Sequence, residues 1–221
     1  MIKIDRIDRE QALRYMAYRE GVISPAAEEL LDECEKRLLE VIKPKFVYRI
    51  FEITSSYPLM IGNVLLPGND IADHLKGCDR AAMLTVTVGA EADKLIRAMQ
   101  IEDMAKAVMT DAFASTAAEQ CADMAEKAIA DETGANLTWR FSPGYGDLPL
   151  SMQKVFLEFT DARRRIGVSC LDSDLLAPVK SVTAVVGISD DPIERKRQGC
   201  LSCALEQTCM LRKRGSHCGY K

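Results

Sequence analysis

The chain has 221 residues, 48% of them hydrophobic and 28% charged, with a formal net charge of −4. That length suits one large domain or two small ones, and the composition is that of a soluble globular chain that buries a core without disulfides. The acidic balance gives no global reason to expect nucleic acid or an anionic membrane as partner. No apolar run approaches the roughly 18 residues that cross a bilayer. The opening Met1-Ile-Lys-Ile-Asp-Arg alternates charged and apolar residues, unlike a signal peptide, so the expected location is the cytoplasm.

In chain order, a helix is expected over Asp8 to Arg19, stopped near Gly21. Ser24-Pro25 starts a second one, with Ser24 as cap, Pro25 at the first helical position and Glu28 and Glu29 in the opening turns. Leu30, Leu31, Cys34, Leu38 and Val41 repeat at helical spacing, and Pro44 ends the pattern. From Lys45 to Thr54 the period changes. Phe46, Tyr48 and Ile50 alternate with Val47, Phe51 and Ile53, which predicts a strand with both faces partly covered. Val64 to Leu66 closes at Pro67-Gly68, and Asn69 is read as the cap of a short helix, Asp70 to Lys76. Ala81 to Val88 is a second clear strand.

Helices follow over Glu91 to Met99 and from about Ile101 to Glu132. The second spans roughly 40 Å at ~1.5 Å per residue, and Met104, Val108, Ala112, Cys121, Met124 and Ile129 are expected inward. After Gly134 a β-prone run, Leu137 to Phe141, enters a turn, and a helix from about Leu150 to Thr160 leaves it. Arg163-Arg164-Arg165 reads as a solvated basic face, Ile166 to Leu171 as a strand candidate and Ser181 to Ser189 as the last strand. The expected fold is α+β, with a central, mostly antiparallel twisted sheet and flanking helices. Its expected parts are an N-terminal helical segment (1–43), a central domain (44–190) and a basic Cys-rich tail (191–221).

The turn is the most unusual stretch: Arg140-Phe-Ser-Pro-Gly-Tyr-Gly-Asp147. Gly144 and Gly146 permit positive φ or close approach of a ligand to the main chain. Arg140 offers a planar fork for a carboxylate or phosphate, and Tyr145 offers a flat face and a hydroxyl.

Four cysteines, Cys34, Cys78, Cys121 and Cys170, are scattered and read as reduced core thiols. The other four, Cys200, Cys203, Cys209 and Cys218, crowd the tail. A Cys-x-x-Cys pair chelates well, and two further thiolates complete tetrahedral zinc or an iron–sulfur cluster. Free thiols or a disulfide on a basic tail are the competing readings. His74 is read as structural or solvated.

With the turn, Ile166-Gly-Val168 and Ser181-Val-Thr-Ala-Val-Val-Gly187 read together, the chain resembles the activation (reactivation) domain of cobalamin-dependent methionine synthase, as a free-standing protein. The likeness is best over about 80–190, and the Arg-x-x-x-Gly-Tyr spacing is its most specific element. It implies an S-adenosylmethionine site on an α+β fold with a central antiparallel sheet. The family's arginine falls on Arg140, the residue two places on is Ser142, and its tyrosine falls on Tyr145. By that resemblance Arg140 takes the ligand's carboxylate. The backbone of Ser142, Gly144 and Gly146 lies near adenine and ribose, Tyr145 faces the sulfonium, and Asp147 binds an amino or hydroxyl group.

The role implied is to help a methionine synthase lacking its own activation domain when its cobalamin has been oxidised. One electron and a methyl group from S-adenosylmethionine then restore methylcobalamin. Tyr145 is followed here by Gly146-Asp-Leu-Pro-Leu instead of the family's Cys-Pro stretch, and Val185 and Val186 stand near its late tyrosine position. No Asp-x-His-x-x-Gly motif is present, so the cobalamin is expected on a partner. Two other readings stand beside this one: a non-catalytic corrinoid-protein binding module, and an iron–sulfur electron donor to the corrinoid.

Overall fold

The computed structural model describes residues 2–16, 18 and 23–193. The four tail cysteines lie outside the described residues. The chain starts with α1 (Arg9–Tyr15), capped by the Asp8 carboxylate accepting from the Gln11 amide, and α2 (Pro25–Val41), capped in the same way by Ser24 from Ala27. The long strand β1 (Lys45–Ser56), the short strands β2 (Leu59–Ile61) and β3 (Val64–Leu65), and helix α3 (Asn69–His74) follow. Next come β4 (Arg80–Thr87), α4 (Ala90–Glu102), α5 (Met104–Thr133) and β5 (Asn136–Leu137). The described elements end with α6 (Met152–Thr160), α7 (Ala162–Ile166), the β6–β7 hairpin (Ser169–Cys170, Leu176–Ala177) and β8 (Ser181–Ser189). No helix among the described residues is long and apolar enough to cross a membrane.

Six strands form one sheet in the order β3-β2-β1-β4-β8-β5, and every neighbouring pair is antiparallel. β4 is its centre. It pairs with β1 from Lys45↔Thr87 to Glu52↔Arg80, and with β8 from Thr87↔Ser181 to Arg80↔Ile188. The period of two then sorts the side chains between two layers. Ala82, Leu84 and Val86 with Ala184, Val186 and Ile188 meet α5, α2 and α1. Ala81, Met83 and Val185 meet α3, α6 and Phe141. Strands buried on both faces read as near-continuous apolar runs, as β4 and β8 do.

Small side chains let α5 lie close on the sheet. Ala114, Ala117, Cys121, Ala122, Ala125 and Ile129 are all fully buried. Met104 and Val108, expected inward, are instead 62% and 52% exposed. The buried band of α5 starts at Ala107 and Thr110; Met104 sits in the first turn ahead of it and Val108 is one step round the helix. Leu31, Cys34 and Leu38 of α2 join the same core. The four cysteines of the described residues are free, three of them buried and Cys170 half-buried. Burial pushes the Cys121 thiol up to about 12.

The expected strand over Ile166 to Leu171 is mostly something else. Asp161, in a left-handed conformation, ends α6 and opens α7, which carries all three arginines and stops at left-handed Gly167. Only Ser169 and Cys170 remain extended.

Candidate functional site

After β5 the chain stays beside β8. The Thr138 amide donates to the Gly187 carbonyl at 3.0 Å, and Phe141 and Val185 exchange two backbone bonds of 2.9 Å. Phe141 is thereby pinned, with its ring in the core under α3 and α6. Alternation sends Arg140 the other way, towards α5.

There the Arg140 guanidinium meets three carboxylates. Nη1 donates to Asp123 at 2.7 Å and Glu126 at 2.8 Å, and Nη2 donates to Glu119 at 2.9 Å. Positions 119, 123 and 126 share one face of α5. The Arg140 side chain is only 14% exposed. Burial works against its charge, but the attraction of Glu126, Asp123 and Glu119 outweighs that and raises the pKa. The fork expected to receive a ligand is engaged by the protein's own acids.

The turn itself is a tight loop. The Tyr145 amide donates to the Ser142 carbonyl, the Leu148 amide to the Tyr145 carbonyl, and the Gly144 amide to the Leu148 carbonyl, at 3.0, 3.0 and 2.8 Å. Gly144 and Gly146 have φ of +93° and +50°, the left-handed region where glycine is favoured. Gly146 is also fixed by space, because a Cβ there would fall onto the Asp70 carboxylate.

Asp147 turns towards α3. It accepts from the Asn69 amide at 2.6 Å and the Asp70 amide at 3.1 Å. Gly68, the residue at the cap position of α3, has no side chain to offer. Asp147 therefore does a cap residue's work from a distant part of the chain. Asn69, expected as the cap, is instead the first helical residue.

The other end of α3 closes the arrangement. His74 Nε2 lies 2.9 Å from the Trp139 carbonyl oxygen, and its ring centroid lies 4.2 Å from that of Trp139 and 5.2 Å from that of Phe141. Burial lowers the His74 pKa to about 4, so the ring is neutral at pH 7 and the contact requires its proton on Nε2. Tyr145 meets Phe141 edge-on at 6.2 Å and is 52% exposed. It presents an aromatic face at the tip of the turn.

Arg140 and the turn are thus brought to one edge of the sheet but anchored to different helices, Arg140 to α5 and Asp147 to α3. Sequence reasoning missed Glu119, Asp123, Glu126 and Trp139, while His74, read as structural or solvated, is structural. The one available signal was the spacing of three acids on one face of an Ala-rich helix. No cluster of metal-ligating side chains is present among the described residues.

No protein-family model matches the sequence, and no curated protein does. Among solved structures the chain is similar to the crystal structure of the MetH reactivation domain bound to AdoHcy. The two share 16% identity at a TM-score of 0.55, over 90% of this chain and 76% of that one. What they have in common is the fold.

Proposed function

We propose that this protein is an accessory factor for the reductive reactivation of a cobalamin-dependent methionine synthase in the cytoplasm. It binds S-adenosylmethionine beside the Arg140–Asp147 turn and docks on a partner that carries the cobalamin and lacks its own activation domain. One observation carries the reading: an Arg-x-x-x-Gly-Tyr turn stands at the sheet edge of a chain sharing its fold with the MetH reactivation domain bound to AdoHcy.

The charges fit such a ligand. Its amino-acid end is a zwitterion and its sulfonium adds a third charge. Arg140 suits the carboxylate, and the neighbouring carboxylates suit the ammonium and the sulfonium. Asp123 is 66% exposed, so it is the easiest of the three to displace from Arg140. Ser142, Gly144 and Gly146 offer main chain to the nucleoside, and Tyr145 offers a ring face to a cation. S-adenosylmethionine supplies a methyl group; this chain's own residues position it. Asp147 contributes by holding the turn against α3. Cys200, Cys203, Cys209 and Cys218 are proposed to hold zinc or an iron–sulfur cluster, which metal analysis and ultraviolet–visible spectra of anaerobically purified protein test.

The closed ion cluster around Arg140 also favours a second reading, a non-catalytic corrinoid-protein binding module. Calorimetric titration with S-adenosylmethionine separates the two. Saturable binding that weakens in Arg140→Ala supports the first, and no binding with or without a cobalamin-carrying partner removes it.

A further inference from the structure

Among the described residues, the sheet has an open edge beside β1. The Lys43 amide donates to the Val88 carbonyl and the Ile53 amide to that of Asp79, so odd-numbered residues of β1 face β4. The Glu52 carbonyl points to the opposite side, where it accepts from the Gly62 amide. Antiparallel ladders alternate, so the amides and carbonyls of Phe46, Tyr48 and Ile50 also point away from β4. β2 pairs with β1 only between Ile53 and Ser56. Among the described residues, no strand pairs with the stretch from Phe46 to Ile50 on that side.

A cavity of about 480 Å³ runs along this stretch, with Arg165 of α7 and Glu132 of α5 among its lining residues. The two faces of the edge differ. Phe46, Tyr48 and Ile50 are half-buried against the α5 layer, where the Tyr48 hydroxyl donates to Glu132. The other face carries Lys45 and Arg49, and Val47 there packs with Ala162 and Ile166 of α7, next to Arg165. Arg49 donates to the Phe159 carbonyl, and among the described residues neither it, Lys45 nor Arg165 forms an ion pair.

We propose that this edge binds an extended acidic segment of a partner protein as an added strand. Its carboxylates would alternate with apolar side chains, the carboxylates on the side of Lys45, Arg49 and Arg165 and the apolar groups beside Phe46, Tyr48 and Ile50. Strand addition takes its affinity from main-chain bonds and its selectivity from alternate side chains. The charge argues against two other occupants. A second copy paired about Tyr48 would set Arg49 diagonal to its own counterpart, a repulsive contact. The chain's own tail is basic through Arg195, Lys196, Arg197, Arg212, Lys213 and Arg214.

The test is residue-resolved amide hydrogen exchange on the full chain, with a capped Glu-Val-Glu-Val-Glu-Val peptide as probe. In the free protein the Phe46, Tyr48 and Ile50 amides should exchange about 100-fold faster than those of Val47, Arg49 and Phe51. Saturating peptide should slow the first set by at least about tenfold. A Lys-Val repeat, or the Glu-Val peptide with alternate amides methylated, should leave them unchanged, and Arg165→Glu should weaken the effect. Protection without peptide overturns the proposal: if it depends on protein concentration a second copy sits there, and if not, the tail does. An absent response to the Glu-Val peptide, or an equal response to the Lys-Val repeat, overturns it as well.

Discussion

Replacing Arg140 by methionine keeps most of the volume and removes the charge. The side chain is 14% exposed, and its partners Glu119, Asp123 and Glu126 are 29%, 66% and 26% exposed. The Asp123 contact, largely in water, contributes little. The other two are charge-assisted bonds at partly buried sites, each contributing about 1 kcal/mol after solvent screening. The variant also leaves the Glu119 and Asp123 carboxylates without their cation, which adds about 1 kcal/mol. The sum, about 3 kcal/mol, lowers the melting temperature of a chain this size by about 6–12 °C. Urea denaturation followed by circular dichroism measures it. Glu126→Gln in the same background should show a coupling of about 1 kcal/mol. A loss in Arg140→Met below about 1 kcal/mol, or zero coupling, would refute the reasoning that α5 and the turn are tied through this group.

Asp147→Ala should destabilise the protein by about 1–2 kcal/mol, as expected for a lost helix cap, and thermal denaturation reads this directly. Gly146→Ala should cost about 1–3 kcal/mol from the positive φ and the collision with Asp70, whereas Gly77→Ala, also at positive φ but open to solvent, should lose less. His74 titrates near 4 when folded and near 6.5 when unfolded, so the unfolded state binds the proton more tightly between those values. Its contribution is therefore complete above about pH 6.5 and declines as pH falls towards 4, by about 3 kcal/mol in total. Urea midpoints at pH 7.5, 5.5 and 4.5 should fall more steeply for the wild type than for His74→Phe; parallel curves would contradict the assignment.

β4 and β8 were legible because burial on both faces leaves a continuous apolar run, and β1 because its residues alternate with a period of two. Ser181 to Ser189 is strand β8 from end to end, and β1 overruns its expected end by only two residues, at Ser56. The register of α5 was less legible. Its face is drawn in alanine, which is compatible with burial or exposure, so Met104 and Val108 drew the inward reading that packing denies them. The strand-to-helix turn was visible through Gly144 and Gly146. Its fastenings were not, since Asp147 caps a helix 77 residues upstream and Arg140 binds acids 14 to 21 residues upstream. Spacing along the chain encodes which residues share a face, not which distant element that face will meet.

Reconstitution tests the central claim most directly. A methionine synthase without its activation domain is inactivated in the oxidised cobalamin state, then mixed with this protein, S-adenosylmethionine and a reductant. The account predicts that turnover returns only when all are present, and that Arg140→Ala fails to restore it. Turnover that stays absent with folded, S-adenosylmethionine-saturated protein, or that Arg140→Ala restores in full, would contradict it.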